Sequence, residues 1–397
     1  MGRLPFPRES AYRRDLAEDR MTERVGTVIV GGGIAGCAVA HYLAEEGETG
    51  ILLVEADELG SGSTGGSFGG IRQQFSTALE IELSRRGLEF WRTAERVFDS
   101  PVAWHRNGYL FMTGQPDIMA KLAEAAALQR SMGLTDVHVL DPEQIRETVP
   151  WVGTDGVLGG TYTPGDGKVT PTEGVAALVK AARARGAKFR ERWPVRALER
   201  DGRAWRVVGP DLLEAERVVV CAGYWTSDLM RPLGLELTIR PLPLYAAITA
   251  PALAGQNVPL TIDLDTGLLI EREADGLLVA ILLEENPPGY GHAQMLEDFA
   301  DLARVRAPSL ADLRIAKQVV ANVDLGGDGH PYVGLVEEGL WMLAGFGGHG
   351  VMHAPPVAKL LAKTITGRPD PTLDISSLSP WRSGDAAAEW MVASKKS

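Results

Sequence analysis

Apolar residues along this chain cluster in short β-branched runs separated by segments of helical spacing. Arg24-Val-Gly-Thr-Val-Ile-Val30 is one such run, and it breaks into Gly31-Gly-Gly-Ile-Ala-Gly36. Cys37–Glu46 then has the pattern of a helix, and Gly50-Ile-Leu-Leu-Val-Glu55 that of a second strand. Two strands joined by a helical crossover predict a parallel pair covered by that helix. A Gly/Ser-rich stretch, Leu59–Gly70, follows, and a helix is predicted from about Ser76 to Phe98.

The texture changes after Trp104. Asn107-Gly-Tyr-Leu-Phe-Met112 reads as a strand, Asp117–Met132 as an amphipathic helix and Pro142–Thr148 as a short helix. Pro171–Arg185 is another helix, with Thr170 as its expected cap and Pro171 at its first position. Arg206-Val-Val and Arg217–Cys221 predict strands of one sheet. Runs alternating with turns between Arg240 and Leu283 predict an antiparallel sheet lying over a ligand. The region His330–Gly367 is expected to end in a helix over Pro356–Thr366.

Composition narrows the function classes. A chain of 397 residues with 45% apolar and 23% charged residues has the make-up of a globular protein of two or three domains. Its net charge of −12 supplies no overall positive field for a polyanion, so nucleic acid is excluded as a partner. No apolar run approaches the roughly 20 residues that span a bilayer. The first 24 residues carry arginines and acids with no apolar signal core; they are read as a flexible extension, with Met21 as an alternative start. Residues after about Leu378 are read as a loosely attached tail. The two cysteines, Cys37 and Cys221, both fall inside packed elements, which points to a reducing, cytoplasmic setting without disulfides.

Candidate chemistry starts at the first glycine turn. In Gly31-x-Gly33-x-x-Gly36, Gly31 permits the tight turn, Gly33 lets backbone approach a pyrophosphate, and Gly36 allows close helix–strand packing. The helix start, with Ile34 and Ala35, offers N–H groups and a positive dipole end to the anion. Glu55, followed by Ala56, closes the second strand about 20 residues on, where an acid accepts hydrogen bonds from a ribose diol. This is a Rossmann-like dinucleotide site. Two further glycine turns, in Val218-Val-Val-Cys-Ala-Gly-Tyr-Trp225 and Gly345-Phe-Gly-Gly-His-Gly350, favour FAD held along its length over NAD.

These motifs, together with Ser67-Phe-Gly-Gly-Ile-Arg-Gln-Gln-Phe75 and Asp328-Gly-His-Pro-Tyr-Val-Gly334, resemble those of the D-amino-acid oxidase/sarcosine oxidase superfamily of FAD enzymes. The resemblance covers roughly Val25 to Gly367. The Gly-Gly-Ile-Arg-Gln-Gln-Phe form is closest to the sarcosine oxidase and proline dehydrogenase β-subunit branch. It implies an α/β (α+β) chain of two domains: a Rossmann-like FAD-binding domain and an antiparallel-sheet substrate domain. The expected division gives residues 25–98, 150–235 and 320–377 to FAD, 99–149 and 236–319 to substrate, and leaves 378–397 as the tail. The implied activity is oxidation of a C–N bond in an amine or amino acid by hydride transfer to flavin N5. The alternative from the same branch is a flavoprotein subunit or assembly factor without turnover of its own.

The resemblance also implies roles. Ser63 and Thr64 would lie near the pyrophosphate, Val195 would hold the adenine through its backbone, and Ala222, Gly223 and Trp225 would flank the phosphates. Gly70, Ile71 and Arg72 would run beside the isoalloxazine, with Arg72 stabilising the charge that accumulates there. Gly345, Gly347, Gly348, His349, Gly350 and Val351 would border the ring. Three cations of relatives are missing: Phe75 and Met352 stand where those carry an arginine and a substrate-binding lysine, and Leu278 falls near a lysine that promotes reaction with oxygen. Phe75, Phe346 and Met352 would therefore meet the substrate with apolar surface, favouring a neutral or bulky amine. No counterpart of a covalent anchor is present, so FAD is expected to be non-covalent. Oxygen and a protein electron acceptor both stay open.

Among the remaining candidates, His349 is read as a hydrogen-bonding group at the ring edge, and His330 and His353 as structural. His349 and His353 are four apart, but Gly350 and Pro355 argue against a helix between them, and with no third ligand apparent no metal site is expected. Tyr245, on a strand expected to cover the substrate, is assigned either a catalytic or a packing role. Asp166-Gly-Lys168 is expected to form the turn between the domains.

Overall fold

The computed structural model describes residues 22–382 and 389–390. The β-branched run at the start forms the strand Thr22–Val30, three residues longer at its amino end than expected, so Thr22–Arg24 belong to the sheet and not to an extension. Residues 1–21 lie outside the described part. The strand sits centrally in an eight-stranded sheet: Tyr332–Glu337, Leu340–Ala344, Leu212–Val220, Thr22–Val30, Ile51–Val54, Lys188–Arg190, with Ala197–Asp201 and Ala204–Val208 extending from Leu212–Val220. The central pairings are parallel, and their registers align Val30 with Val54 and with Val220, and Val220 with Met342. Gly31, Glu55, Cys221 and Gly345 therefore leave the sheet along one edge. Ligands of open parallel sheets bind outside such carboxyl ends.

One face of this sheet is covered by the helices Ile34–Glu45, Ala78–Phe98, Pro171–Ala184 and Gly350–Ile365, whose apolar sides share one core. Pro171 opens its helix as expected, but Thr170 makes no capping bond with its side chain. Cys37 and Cys221 are free and buried, and burial pushes both thiols up.

The helix expected over Pro356–Thr366 runs instead over Gly350–Ile365, with Pro355 and Pro356 inside it. The tail is also tighter than expected. Leu378 is buried, Arg382 pairs with Asp328 at 2.7 Å, and Glu389 accepts hydrogen bonds from the N–H groups of Ser76 (2.9 Å) and Thr77 (3.1 Å). Residues 383–388 and 391–397 lie outside the described part.

The second eight-stranded sheet runs in the order Ile315–Leu325, Arg240–Thr249, Gly276–Ile281, Leu268–Glu273, Leu260–Asp263, Tyr109–Thr113, Gly159–Thr163, His138–Leu140. It is antiparallel but for one pair, Leu260–Asp263 with Tyr109–Thr113. Gly159–Thr163 and the whole of Ile315–Leu325 belong here, whereas the expected division gave Gly159–Thr163 and residues 320–325 to the FAD-binding part. One face packs under the helix His292–Arg306. The other carries Tyr109, Phe111, Leu269 and Leu278.

Candidate active site

The glycine turn after the first strand is shaped by contact. Gly31 has φ +108, and a Cβ there would lie 2.4 Å from the Cys221 carbonyl oxygen. At Gly33 a Cβ would meet only Thr64 Oγ1, at 3.1 Å, so the turn is open on the side facing out from the sheet edge. The first N–H of the following helix, on Ile34, donates to Thr64 Oγ1 at 3.0 Å, which brings the Ser63–Gly66 turn over the helix start. Ala35 and Gly36 complete that first turn. Glu55 accepts from the N–H groups of Gly32 (2.5 Å) and Asp57 (2.9 Å). Trp193 N–H donates to the Glu55 carbonyl at 2.7 Å, so the loop carrying Val195 lies beside Glu55, with Ala56 exposed next to it. Ala222, Gly223 and Trp225 follow Cys221 around the same edge, and Trp225 stacks on Tyr224.

The other end of the site is built by Arg72, the Gly345–Gly350 turn and the second sheet. Gly70–Ile71 pairs with Gly167–Lys168, which fixes the chain leading into Arg72. Arg72 is 5% exposed. Its guanidinium lies 3.9 Å from the Phe75 ring centroid and 5.3 Å from that of Phe111, and it donates to the Gln74 carbonyl. Phe75, Phe346, Val351 and Met352 are buried in the helical core cluster, and Leu278 with Tyr109 and Phe111 is buried on the facing side of the second sheet. The turn itself is held from below by Asp324, whose Oδ2 accepts from the N–H groups of Gly345 (3.1 Å) and Phe346 (3.2 Å) while its carbonyl accepts from Gly347 N–H (3.0 Å). Burial pushes the Asp324 carboxyl up to about 6 against the opposing pull of those bonds. Gly348 is exposed.

His349 caps the helix Gly350–Ile365; its ring is 2% exposed and neither nitrogen has a partner. Burial, then the neighbouring His353, holds its imidazole well below the usual histidine range, so it is neutral near pH 7. His353 follows one turn later, its ring 4.8 Å from that of His349 and 4.7 Å from that of Phe75. A helix between these histidines was not expected, and neither was the third group they meet. Glu80, fully buried, hydrogen-bonds His330 Nδ1 through Oε1 at 2.7 Å, and its Oε2 lies 2.8 Å from His353 Nδ1 at an angle outside hydrogen-bond geometry. Burial raises the Glu80 carboxyl, but His353 and the hydrogen bond from His330 outweigh it and hold the group below the usual carboxylate range. The sequence carried a signal for Glu80. It falls on the apolar stripe of its helix with Ser84, Gly87, Leu88 and Trp91, where a charge is out of place.

Glu80, His349 and His353 thus offer three ligand atoms, spread over up to 4.8 Å.

Tyr245 is placed away from these residues. Its ring packs on Tyr290 and His292, on the side of the sheet covered by His292–Arg306, opposite Leu278 and Tyr109. Alternation along its strand puts Ala246, not Tyr245, on the inner face. Asp166 is no exposed turn residue: it is buried and accepts from Gln73 N–H at 3.2 Å. Lys168 reaches Glu271 at 3.1 Å and Glu273 at 2.6 Å, and Glu271 is the cross-strand partner of Leu278.

The outward-open turn at Gly33, the aligned carboxyl ends and the unpartnered ring of His349 fit a long dinucleotide whose ring reaches the second sheet. The comparisons agree. A solved structure, L-proline dehydrogenase from P. horikoshii, is 26% identical with a TM-score of 0.83, covering 91% of this chain and 98% of that one. The 4-methylaminobutanoate oxidase (formaldehyde-forming) of Paenarthrobacter nicotinovorans is 29% identical over 89% of this chain and 45% of that protein. Human mitochondrial dimethylglycine dehydrogenase is 27% identical over 93% of this chain and 45% of its own length. The chain thus spans about half the length of these two curated relatives. Among the described residues no helix is long and apolar enough to cross a membrane. The model of the FAD dependent oxidoreductase family, DAO, matches residues 27–364, and this chain is a member of that FAD-dependent family.

Proposed function

We propose that this chain oxidises the C–N bond of a secondary or tertiary amine, or of an amino acid bearing one. The observation that carries this reading is the buried Arg72 guanidinium 3.9 Å from Phe75, at the end of the site where the strand edge meets the apolar face of the second sheet. Bound FAD supplies the hydride acceptor. The glycine turn at Gly31–Gly36, with Ser63 and Thr64 above it, binds the pyrophosphate, Glu55 the ribose, and Val195 the adenine; Ala222, Gly223 and Trp225 flank the phosphates. These bonds are non-covalent. Gly70–Arg72 and Gly345–Val351 border the ring, and Arg72 places a fixed cation where negative charge accumulates, in surroundings too dry to screen it.

Phe75, Phe346 and Met352, with Leu278 from the second sheet, exclude water and orient the amine. The amine reacts in its neutral form, so orientation and electrostatics are the protein's main contributions. The first sheet and its helices form the FAD-binding part and the second sheet the substrate part. The names of the relatives favour an N-methylated or ring amine: 4-methylaminobutanoate, dimethylglycine and proline. We place the protein in the cytoplasm, with a protein electron acceptor in preference to oxygen. Anaerobic addition of such amines to the purified protein tests the reading, since a substrate bleaches the flavin band and a non-substrate leaves it unchanged.

A further inference from the structure

We propose that Glu80 is a positioning residue for the flavin site: it keeps Nδ1 of His353 protonated and so locks the His353 ring against Phe75 and His349. The assignment rests on the flavin-site reading above. Glu80 lies in the first turn of Ala78–Phe98, the helix packed against Gly350–Ile365, and its carboxylate is enclosed by His330 on one side and His353 on the other. Glu80 Oε2 and His353 Nδ1 lie 2.8 Å apart, and although the angle is too bent for a good hydrogen bond, two electronegative atoms that close repel unless a proton lies on one of them. Glu80 is the stronger acid, so the proton resides on Nδ1.

That choice fixes one corner of a triangle of rings, since Phe75 and His349 also meet each other at 5.5 Å. The His353 ring packs on Phe75 at 4.7 Å, Phe75 carries the Arg72 guanidinium at 3.9 Å, and the His353 ring meets His349 edge-on at 4.8 Å. Both groups that border the flavin ring therefore rest on a side chain that Glu80 orients. His330, the other partner, is bonded to the same carboxylate and satisfies Oε1. A buried carboxylate would be costly without such partners.

Glu80→Gln keeps the volume but not the pattern. A glutamine has one acceptor oxygen, so the imidazole facing its NH2 group must present a bare nitrogen and change tautomer. Nitrogen-15 spectra of histidine-labelled holoenzyme should show His353 protonated at Nδ1 in the parent, and a changed tautomer at His353 or His330 in Glu80→Gln. Flavin reduction by a substrate amine should slow by about tenfold to a hundredfold with KM within about twofold, as expected when reacting groups are misplaced but binding is not. Glu80→Asp, which keeps the charge, should recover part of the rate, and His330→Asn should retain most of it.

A parent spectrum with His353 protonated at Nε2 alone would overturn the assignment, as would unchanged tautomers and rate in Glu80→Gln. So would a stoichiometric metal ion in the purified parent that Glu80→Gln loses. If Glu80→Gln does not fold, the parent spectrum still decides. It decides also if no amine reduces the flavin, because the tautomer is read without turnover.

Discussion

The indole N–H of Trp91 donates to the carbonyl of Val351 at 2.9 Å, the same carbonyl that Pro355 leaves without a helical donor. Proline lacks the N–H that would reach four residues back, and Pro356 does the same to the carbonyl of Met352. The helix Ala78–Phe98 covers both: Trp91 bonds the first, and Gly87 approaches the second so closely that a Cβ there would lie 2.1 Å from it. Helix Gly350–Ile365 can thus start directly at the Gly345–Gly350 turn. Trp91→Phe should leave a buried carbonyl unpaired and destabilise the protein by about 1–3 kcal/mol. Urea unfolding of the holoenzyme measures this, and an unchanged midpoint would remove the bond from the account.

Gly33→Val should abolish FAD binding and leave the fold intact. The added side chain enters the space reserved for the pyrophosphate, and the protein's own nearest atom there is Thr64 Oγ1 at 3.1 Å from a Cβ. A colourless protein with an unchanged circular dichroism spectrum is the expected result. Acid precipitation of the parent should release its FAD into the supernatant; colour retained in the pellet would contradict non-covalent binding.

Arg72→Ala should lower the rate of flavin reduction by about a hundredfold while amine binding changes little, because the fixed charge matters most where new negative charge develops. Anaerobic stopped flow separates the two quantities. Equal limiting rates in parent and variant would take Arg72 out of the mechanism.

Asp166 gives a pH dependence of known sign. Burial pushes its carboxyl up to about 8, against hydrogen bonds from Gln73. Its folded value lies above its unfolded one, so the stability associated with the neutral form is complete below about pH 4 and is lost as the pH rises toward 8. Asp166→Asn should therefore gain in Tm relative to the parent between pH 5 and about pH 8. A constant difference across that range would show that Asp166 does not titrate there.

The strands and glycine turns were legible in the sequence because each is a local signal: β-branched runs and glycines at fixed offsets. What was missed is relational. Pro355 reads as a helix breaker until Trp91, far away in the chain, is seen to bond the Val351 carbonyl. Glu80 stands out as a charge on the apolar stripe of its helix, but its partners His330 and His353 come from far along the chain. Tyr245 was placed on the correct sheet, but which face a residue occupies depends on a one-residue register, and here the inner face fell to Ala246. The boundary near 320 failed because the long strand Ile315–Leu325 pairs throughout with Arg240–Thr249 while Asp324 near its end supports the Gly345 turn.

Reaction of the reduced protein with oxygen is expected to be slow. Leu278 and Met352 supply no charge, burial keeps His349 neutral, the Lys168 ammonium is balanced by Glu271 and Glu273, and Arg72, stacked on Phe75, is a remaining cation. Photoreduced protein mixed with air-saturated buffer should regain its oxidised spectrum slowly, and Leu278→Lys should speed this by about tenfold or more, each 1.4 kcal/mol of barrier being about tenfold in rate. Rapid reoxidation of the parent with stoichiometric peroxide would show a true oxidase.

The central claim, that this FAD-dependent chain oxidises a C–N bond, is tested most directly by the flavin spectrum itself. Purified yellow protein is mixed anaerobically with a panel of N-methylated amines, N-methylated amino acids and proline, with primary amino acids and hydroxy acids as comparators. Full bleaching of the flavin band by at least one secondary or tertiary amine is expected, with formation of the corresponding imine or its aldehyde hydrolysis product. Bleaching by a hydroxy acid alone, or a flavin that dithionite reduces but no amine does, would contradict it.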